Sequence, residues 1–204
     1  MNATTTPSNA TDPAATRRTH RCPWWLHYLL ASPLRRMLES PRRILGPHVA
    51  PGMTVLDVGC GFGYASLPLA RMVGPEGRVI SVDVEPRVVA KLERRARRAG
   101  LARRIDARAC DAAGLGLGEY AGQVDLVTVI HTLHEIADPS AFLEQIAALL
   151  APGGRLLVVE PRGHVEPERL AAQVALCRSL GFAELAAPKV GRGRMAALFA
   201  APGA

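Results

Sequence analysis

Aromatic residues are scarce: Phe, Trp and Tyr make up 4% of the 204 positions. The basic run Lys91–Arg104 has no ring interleaved, so it lacks the stacking platform of a single-strand nucleic-acid binder. Lysine is nearly absent, 2 residues against 23 arginines. The formal charge of +7 invites a nucleic-acid reading. An arginine bias beside 33 alanines and 16 prolines reads first, however, as a solvated surface written by a GC-rich genome. Cys22, Cys60, Cys110 and Cys177 lie far apart without a paired spacing. That excludes a zinc ribbon, a redox motif and a disulfide scaffold, and fits a reducing cytoplasm. No apolar run approaches ~18 residues, so a transmembrane helix is excluded. The opening MNATTTPSNATDPAATRRTH has no apolar core, and no secretory signal is expected.

What is present suits one globular domain, with 49% hydrophobic and 21% charged residues. Residues 1–19, without periodicity, read as a disordered tail. Residues 20–50 read as an N-terminal helical segment, broken by Pro33, Pro41 and Pro47. It holds both tryptophans, Trp24 and Trp25, and three readings stand: a lid over the site, a helix packed on the flank, or an interfacial helix. Residues 51–204 form the main domain.

Within it, short β-branched runs alternate with helical ones. Strands are expected at 54–58, 78–83, 105–109, 124–130 and 155–160, with helices at 64–72, 86–99, 140–150 and 166–180. Pro152-Gly153-Gly154 reads as a turn. Two last strands, 183–190 and 195–200, are joined by Gly191-Arg192-Gly193. The pattern implies a Rossmann-like, doubly wound α/β sheet of seven strands. It is mostly parallel, with an antiparallel C-terminal hairpin and helices on both faces.

Gly59-Cys60-Gly61-Phe62-Gly63 runs from the first strand into a helix. The spacing is Gly-x-Gly-x-Gly, and Tyr64 stands where the dinucleotide fingerprint needs a small residue. Asp57, just upstream, is ill-suited to a pyrophosphate and suits a ligand with an ammonium group. Asp83 ends the second strand, where a carboxylate can accept both hydroxyls of a ribose. Asp111 follows the third strand and could accept from an adenine amino group. All three acids fall at the carboxyl edge of the sheet, the ligand crevice of doubly wound folds. The plainer reading has Asp83 and Asp111 capping helices.

Over residues 41–200 the chain resembles the class I S-adenosylmethionine-dependent methyltransferases, near the quinone-biosynthesis and arsenite enzymes. The segments that carry the likeness are "VLDVGCGFG", "VISVD", "CDAAGL", "VDLVTVIHTLHEI" and "LAPGGRLLVVEP". The resemblance implies that Gly59, Gly61 and Gly63 approach the methionine part of the cofactor, with Asp57 near its ammonium. It implies that Asp83 holds the ribose, that Val84 packs on adenine, and that Asp111 with Ala112 addresses the adenine edge. His131, just past the fourth strand, is assigned to the same side. The arsenite enzymes carry paired cysteines that this sequence lacks. Cys60 reads as a small packing residue, Cys110 and Cys177 as inert core thiols.

Strands four and five should exit side by side, into His131-Thr132-Leu133-His134-Glu135 and Glu160-Pro161-Arg162-Gly163-His164. His134 is the first candidate for a general base, His164 the second, with Glu135 orienting one of them. A divalent metal held by His134, Glu135 and His164 with Cys22 or His20 is a further expectation. The plainer reading leaves these side chains exposed at a loop start. The expected function is a cytoplasmic methyltransferase that uses S-adenosylmethionine on a small-molecule acceptor. The alternatives are RNA or protein methylation and a non-catalytic cofactor- or metal-binding domain. No Asn/Asp-Pro-Pro-Tyr/Phe tetrapeptide follows the fourth strand, which speaks against base methylation. The hairpin edge and the aromatic segment leave a homodimer open.

Overall fold

The computed structural model describes residues 41–203. The tail and most of the helical segment, with both tryptophans, His20 and Cys22, lie outside the described residues. The segment's last stretch forms helix α1 (Pro41–Leu45) and a 3-10 turn over Gly46–His48. Ile44 and Leu45 of α1 are buried in the core.

Seven strands follow: β1 (Thr54–Val58), β2 (Arg78–Asp83), β3 (Ile105–Ala109), β4 (Val124–Ile130), β5 (Leu150–Pro161), β6 (Ala183–Glu184) and β7 (Arg194–Ala200). Between them lie α2 (Ser66–Met72), α3 (Pro86–Arg98), α4 (Pro139–Leu149) and α5 (Pro167–Ser179). The sheet order is β3-β2-β1-β4-β5-β7-β6. The first five strands pair in parallel, and β7 runs antiparallel to both β5 and β6. Strand order reverses between β1 and β4, so their carboxyl ends open the crevice where such sheets bind ligands.

Side chains alternate across the sheet as a two-residue period requires. Leu56, Val58, Val127 and Leu156 pack against Phe142, Leu143 and Ile146 of α4. Val55, Leu126 and Leu157 pack on the other face against Leu45, Leu67, Leu69 and Leu92. Helices thus cover both faces, which is why the strands read as continuous apolar runs. The helix starts are fixed by acids and prolines: Asp138 accepts from the Ala141 amide at 3.0 Å, and Pro139 opens α4.

Three elements differ from the sequence reading by two residues or more at one end. Strand β6 is two residues long, not eight. The Leu185 amide still reaches the Leu198 carbonyl at 2.8 Å, after which the chain leaves the ladder. Ala186 and Ala187 pack little on a pleated surface, and Pro188 has no N–H to donate. Helix α2 begins at Ser66, because the Gly63 amide closes a turn on the Cys60 carbonyl at 2.9 Å first. Strand β5 absorbs the Pro152-Gly153-Gly154 turn as a bulge: Val124 pairs with Leu150, and Leu126 already with Arg155. No helix of the described residues is long and apolar enough to cross a membrane.

Candidate functional site

The glycine turn leaves β1 at the reversal point. The Gly59 and Cys60 amides donate to the Val82 carbonyl at 2.9 and 3.0 Å. The Gly61 amide donates to Oδ2 of Asp83 at 3.0 Å, and Arg95 of α3 donates to the Phe62 carbonyl. Gly59 and Gly63 have φ of +69° and +84°, conformations that disfavour other residues. A Cβ on Gly59 would stand 2.2 Å from Oγ1 of Thr132, and one on Gly63 2.5 Å from Cδ1 of Leu92. The turn is therefore pressed against the exit of β4 and against α3.

Asp83 sits at its lip. Oδ2 takes the Gly61 amide and Oδ1 takes the Glu85 amide at 3.1 Å. The next residue, Val84, leaves 50% of its surface exposed, whereas most large apolar side chains among the described residues are buried. The Cys110 amide donates to the Asp83 carbonyl at 3.0 Å, which sets exposed Asp111 and Ala112 beside the end of β2. The turn, Asp83, Val84 and Asp111 thus share one rim.

Asp57 lies behind the turn, 2% exposed. In register it faces Ser81 on one side and Thr128 on the other. Its carboxylate accepts from the Ser66 hydroxyl at 2.6 Å and the Thr128 hydroxyl at 3.1 Å. Burial pushes its pKa up to about 6, against the opposing pull of those two hydrogen bonds. It ties β1 to β4 and to the start of α2.

On the acceptor side, His131 is the one non-glycine residue with positive φ among the described residues, at 58°. Its Nε2 accepts from Nε of Arg194 at 3.3 Å, and Nη2 of Arg194 donates to the Tyr64 hydroxyl at 2.9 Å. Arg194 is 4% exposed at the start of β7. It joins the β4 exit to the glycine turn, and sequence reasoning missed both Arg194 and Tyr64. Only the cation heading the apolar run Met195–Ala200 signals this bond, and nothing local tells which residue it meets.

His134 occupies a 3-10 turn, Leu133–Glu135. Its Nδ1 lies 2.8 Å from Oε2 of Glu160, and its backbone amide donates to Oε1 of the same carboxylate at 3.0 Å. The His164 ring meets the His134 ring edge-on, centroids 5.0 Å apart. Oε1 of Glu135, expected as the orienting acid, is 3.9 Å from Nε2 of His134; the carboxylate at bonding distance is Glu160. Two of the three imidazoles therefore meet, while His131 bonds to Arg194. Among the described residues, no group of three or more His, Cys, Asp and Glu side chains is arranged to hold a metal ion. The other two candidate ligands, Cys22 and His20, lie outside them.

A family model described as a methyltransferase domain matches residues 50–186. The ubiquinone biosynthesis O-methyltransferase of Xanthomonas axonopodis pv. citri is 31% identical over 136 residues, 66% of this chain and 54% of that protein. The chain spans between 31% and 57% of the length of the first curated relatives it matches. A crystal structure of an S-adenosylmethionine-dependent methyltransferase from Aquifex aeolicus superposes with a TM-score of 0.80 at 23% identity, covering 88% of this chain and 99% of that one. The [4+2]-cyclase SpnF superposes with a TM-score of 0.64 at 21% identity, covering 88% and 80%. These two solved structures share the fold. With the family match over most of the described residues, the chain belongs to the S-adenosylmethionine-dependent methyltransferase family.

Proposed function

We propose that the protein transfers a methyl group from S-adenosylmethionine to a hydroxyl of a small-molecule acceptor, with His134 as general base. The observation that carries the reading is Asp83 at the lip of the glycine turn with exposed Val84 beside it. The residues on the rim fit the cofactor. Each oxygen of a carboxylate can accept more than one hydrogen bond, so Asp83 still has room for a ribose diol after taking two backbone amides. Val84 offers an apolar face to a purine, and Asp111 with Ala112 offers its edge an acceptor. The carboxylates of Asp57 and Asp83 flank the turn, which favours a ligand with an ammonium group over a phosphate.

Bound S-adenosylmethionine would supply an already activated methyl group for in-line displacement from its sulfur. The protein's own residues then position the acceptor, exclude water and take its proton. His134 stands two residues from Thr132, the residue pressed on Gly59. The acceptor oxygen attacks with a lone pair, and its proton passes to Nε2 of His134. His164, edge-on, lines the same mouth. A base beside the mouth suits an oxygen acceptor, and the curated relatives named as O-methyltransferases favour the same atom. Cys60, Cys110 and Cys177 are free thiols, which supports a reducing, cytoplasmic setting.

Radiolabelled methyl transfer into cell extract tests the reading. Label in the small-molecule fraction, lowered by about 10²-fold or more in His134→Ala, is expected. Label in RNA or protein would favour the macromolecular alternative. Absence of label from every fraction would leave a cofactor-binding domain without transfer; the cyclase likeness shows that this fold is not tied to one chemistry.

A further inference from the structure

We propose that Glu160 is a positioning residue that fixes the tautomer and ring orientation of His134, and that α5 holds Glu160 to this task. The inference rests on the reading of His134 as the base. Glu160 ends the apolar run Leu156–Val159 of β5 and is fully buried, 0% exposed. Its two oxygens divide the work: Oε1 takes the His134 amide at 3.0 Å, and Oε2 faces Nδ1 at 2.8 Å. A carboxylate can only accept, so the hydrogen in the second contact belongs to Nδ1. The neutral ring then carries its lone pair on Nε2, the nitrogen a base needs toward the acceptor. The Glu135 oxygen, 3.9 Å from Nε2, is too far for a hydrogen bond.

Helix α5 grips this pair twice. Nε2 of Gln173 lies 3.4 Å from Oε1 of Glu160, and Nη2 of Arg169 donates to the His134 carbonyl at 2.6 Å. The two residues are one turn apart and share a helix face. The Gln173 side-chain oxygen is buried without a hydrogen-bond partner. Flipping the amide would set that oxygen against a carboxylate oxygen, so the orphan follows from turning the NH2 toward Glu160. An amide at position 160 could not replace the acid. It offers one acceptor oxygen where three donors converge, and it turns an NH2 toward at least one of them.

Nitrogen-15 imidazole spectra of the full chain test this without a known acceptor. Comparison with His134→Gln assigns the His134 signals, at a pH where the ring is neutral. The wild type is expected to show His134 protonated mainly on Nδ1. In Glu160→Gln the ratio of Nδ1–H to Nε2–H should fall by about tenfold, with unchanged affinity for S-adenosylhomocysteine as the check on the fold. Predominant Nε2–H in the wild type would overturn the proposal, and that measurement does not require Glu160→Gln to fold. An unchanged ratio in Glu160→Gln would overturn it too. Gln173→Leu should shift the ratio the same way by less, and no shift would remove α5 from the device. If His134→Ala kept full transfer activity, the base reading would fail while the tautomer result stood.

Discussion

Gly59 has no room for a side chain. Its φ is in the left-handed region and Thr132 fills the space where a Cβ would go. Gly59→Ala should lower stability by about 3 kcal/mol, summing backbone strain and overlap. Urea unfolding measures it, and adding Thr132→Ala should restore only part, because φ is unchanged. Full restoration would show that the backbone conformation is not strained. Asp57 makes a pH prediction. Its pKa is about 6 in the folded chain against 3.8 for an ordinary carboxyl. Between those values the native state binds more protons than the unfolded one, so stability falls as pH rises through the window. The penalty above the folded value is on the order of 3 kcal/mol, partly masked by other groups. Asp57→Asn should flatten that slope in urea midpoints taken at acid and neutral pH; an unaltered slope would contradict the assignment to Asp57. The glycines and the three aspartates were legible because their signal is local: residue type at a strand end. The bonds Glu160–His134 and Arg194–His131 join residues 26 and 63 positions apart. No spacing rule specifies them, and Glu135, expected to orient one of the two histidines, is not the acid at bonding distance from His134.

Among the elements, β1, β2 and β4 carry the boundaries that their apolar runs imply, since strands buried on both faces have little freedom in composition. Strand β6 was overread because its sequence only weakly opposes a strand and the turn glycines suggested a hairpin. β7 pairs with β5 over seven residue pairs and with β6 over two. The buried face of β7 is anchored by Phe199, 1% exposed and edge-on to Phe182 at 6.3 Å. Phe199→Ala should lower stability by about 3–5 kcal/mol in denaturant titration. A loss below about 1 kcal/mol would mean that β7 is not part of the cooperative core.

For the whole molecule, the sheet separates two kinds of surface. The cofactor rim lies at the carboxyl edge of β1, β2 and β3, and the histidine mouth at that of β4 and β5. The stretch Glu85–Arg104, with eight cations and two acids, lies on α3 and the loop that leads into β3. Most of the net charge thus stands beside the adenine-side strands, away from the mouth, as a solvated surface would have it. Binding to tRNA should accordingly be weak and vanish with salt, falling by orders of magnitude between about 50 and 200 mM. Salt-resistant binding would favour a macromolecular acceptor. A two-residue β6 gives a second copy little backbone to pair with at that edge. Fold class was legible from alternation alone, whereas acceptor identity depends on the shape of a mouth that no linear pattern encodes.

The most direct measurement is calorimetric titration of the full chain with S-adenosylhomocysteine, in parallel with Asp83→Ala. The account predicts saturable one-to-one binding to the wild type and an affinity lower by at least about tenfold in the variant. Wild-type protein that unfolds cooperatively yet gives no binding heat at any temperature, or binding indifferent to Asp83, would contradict it.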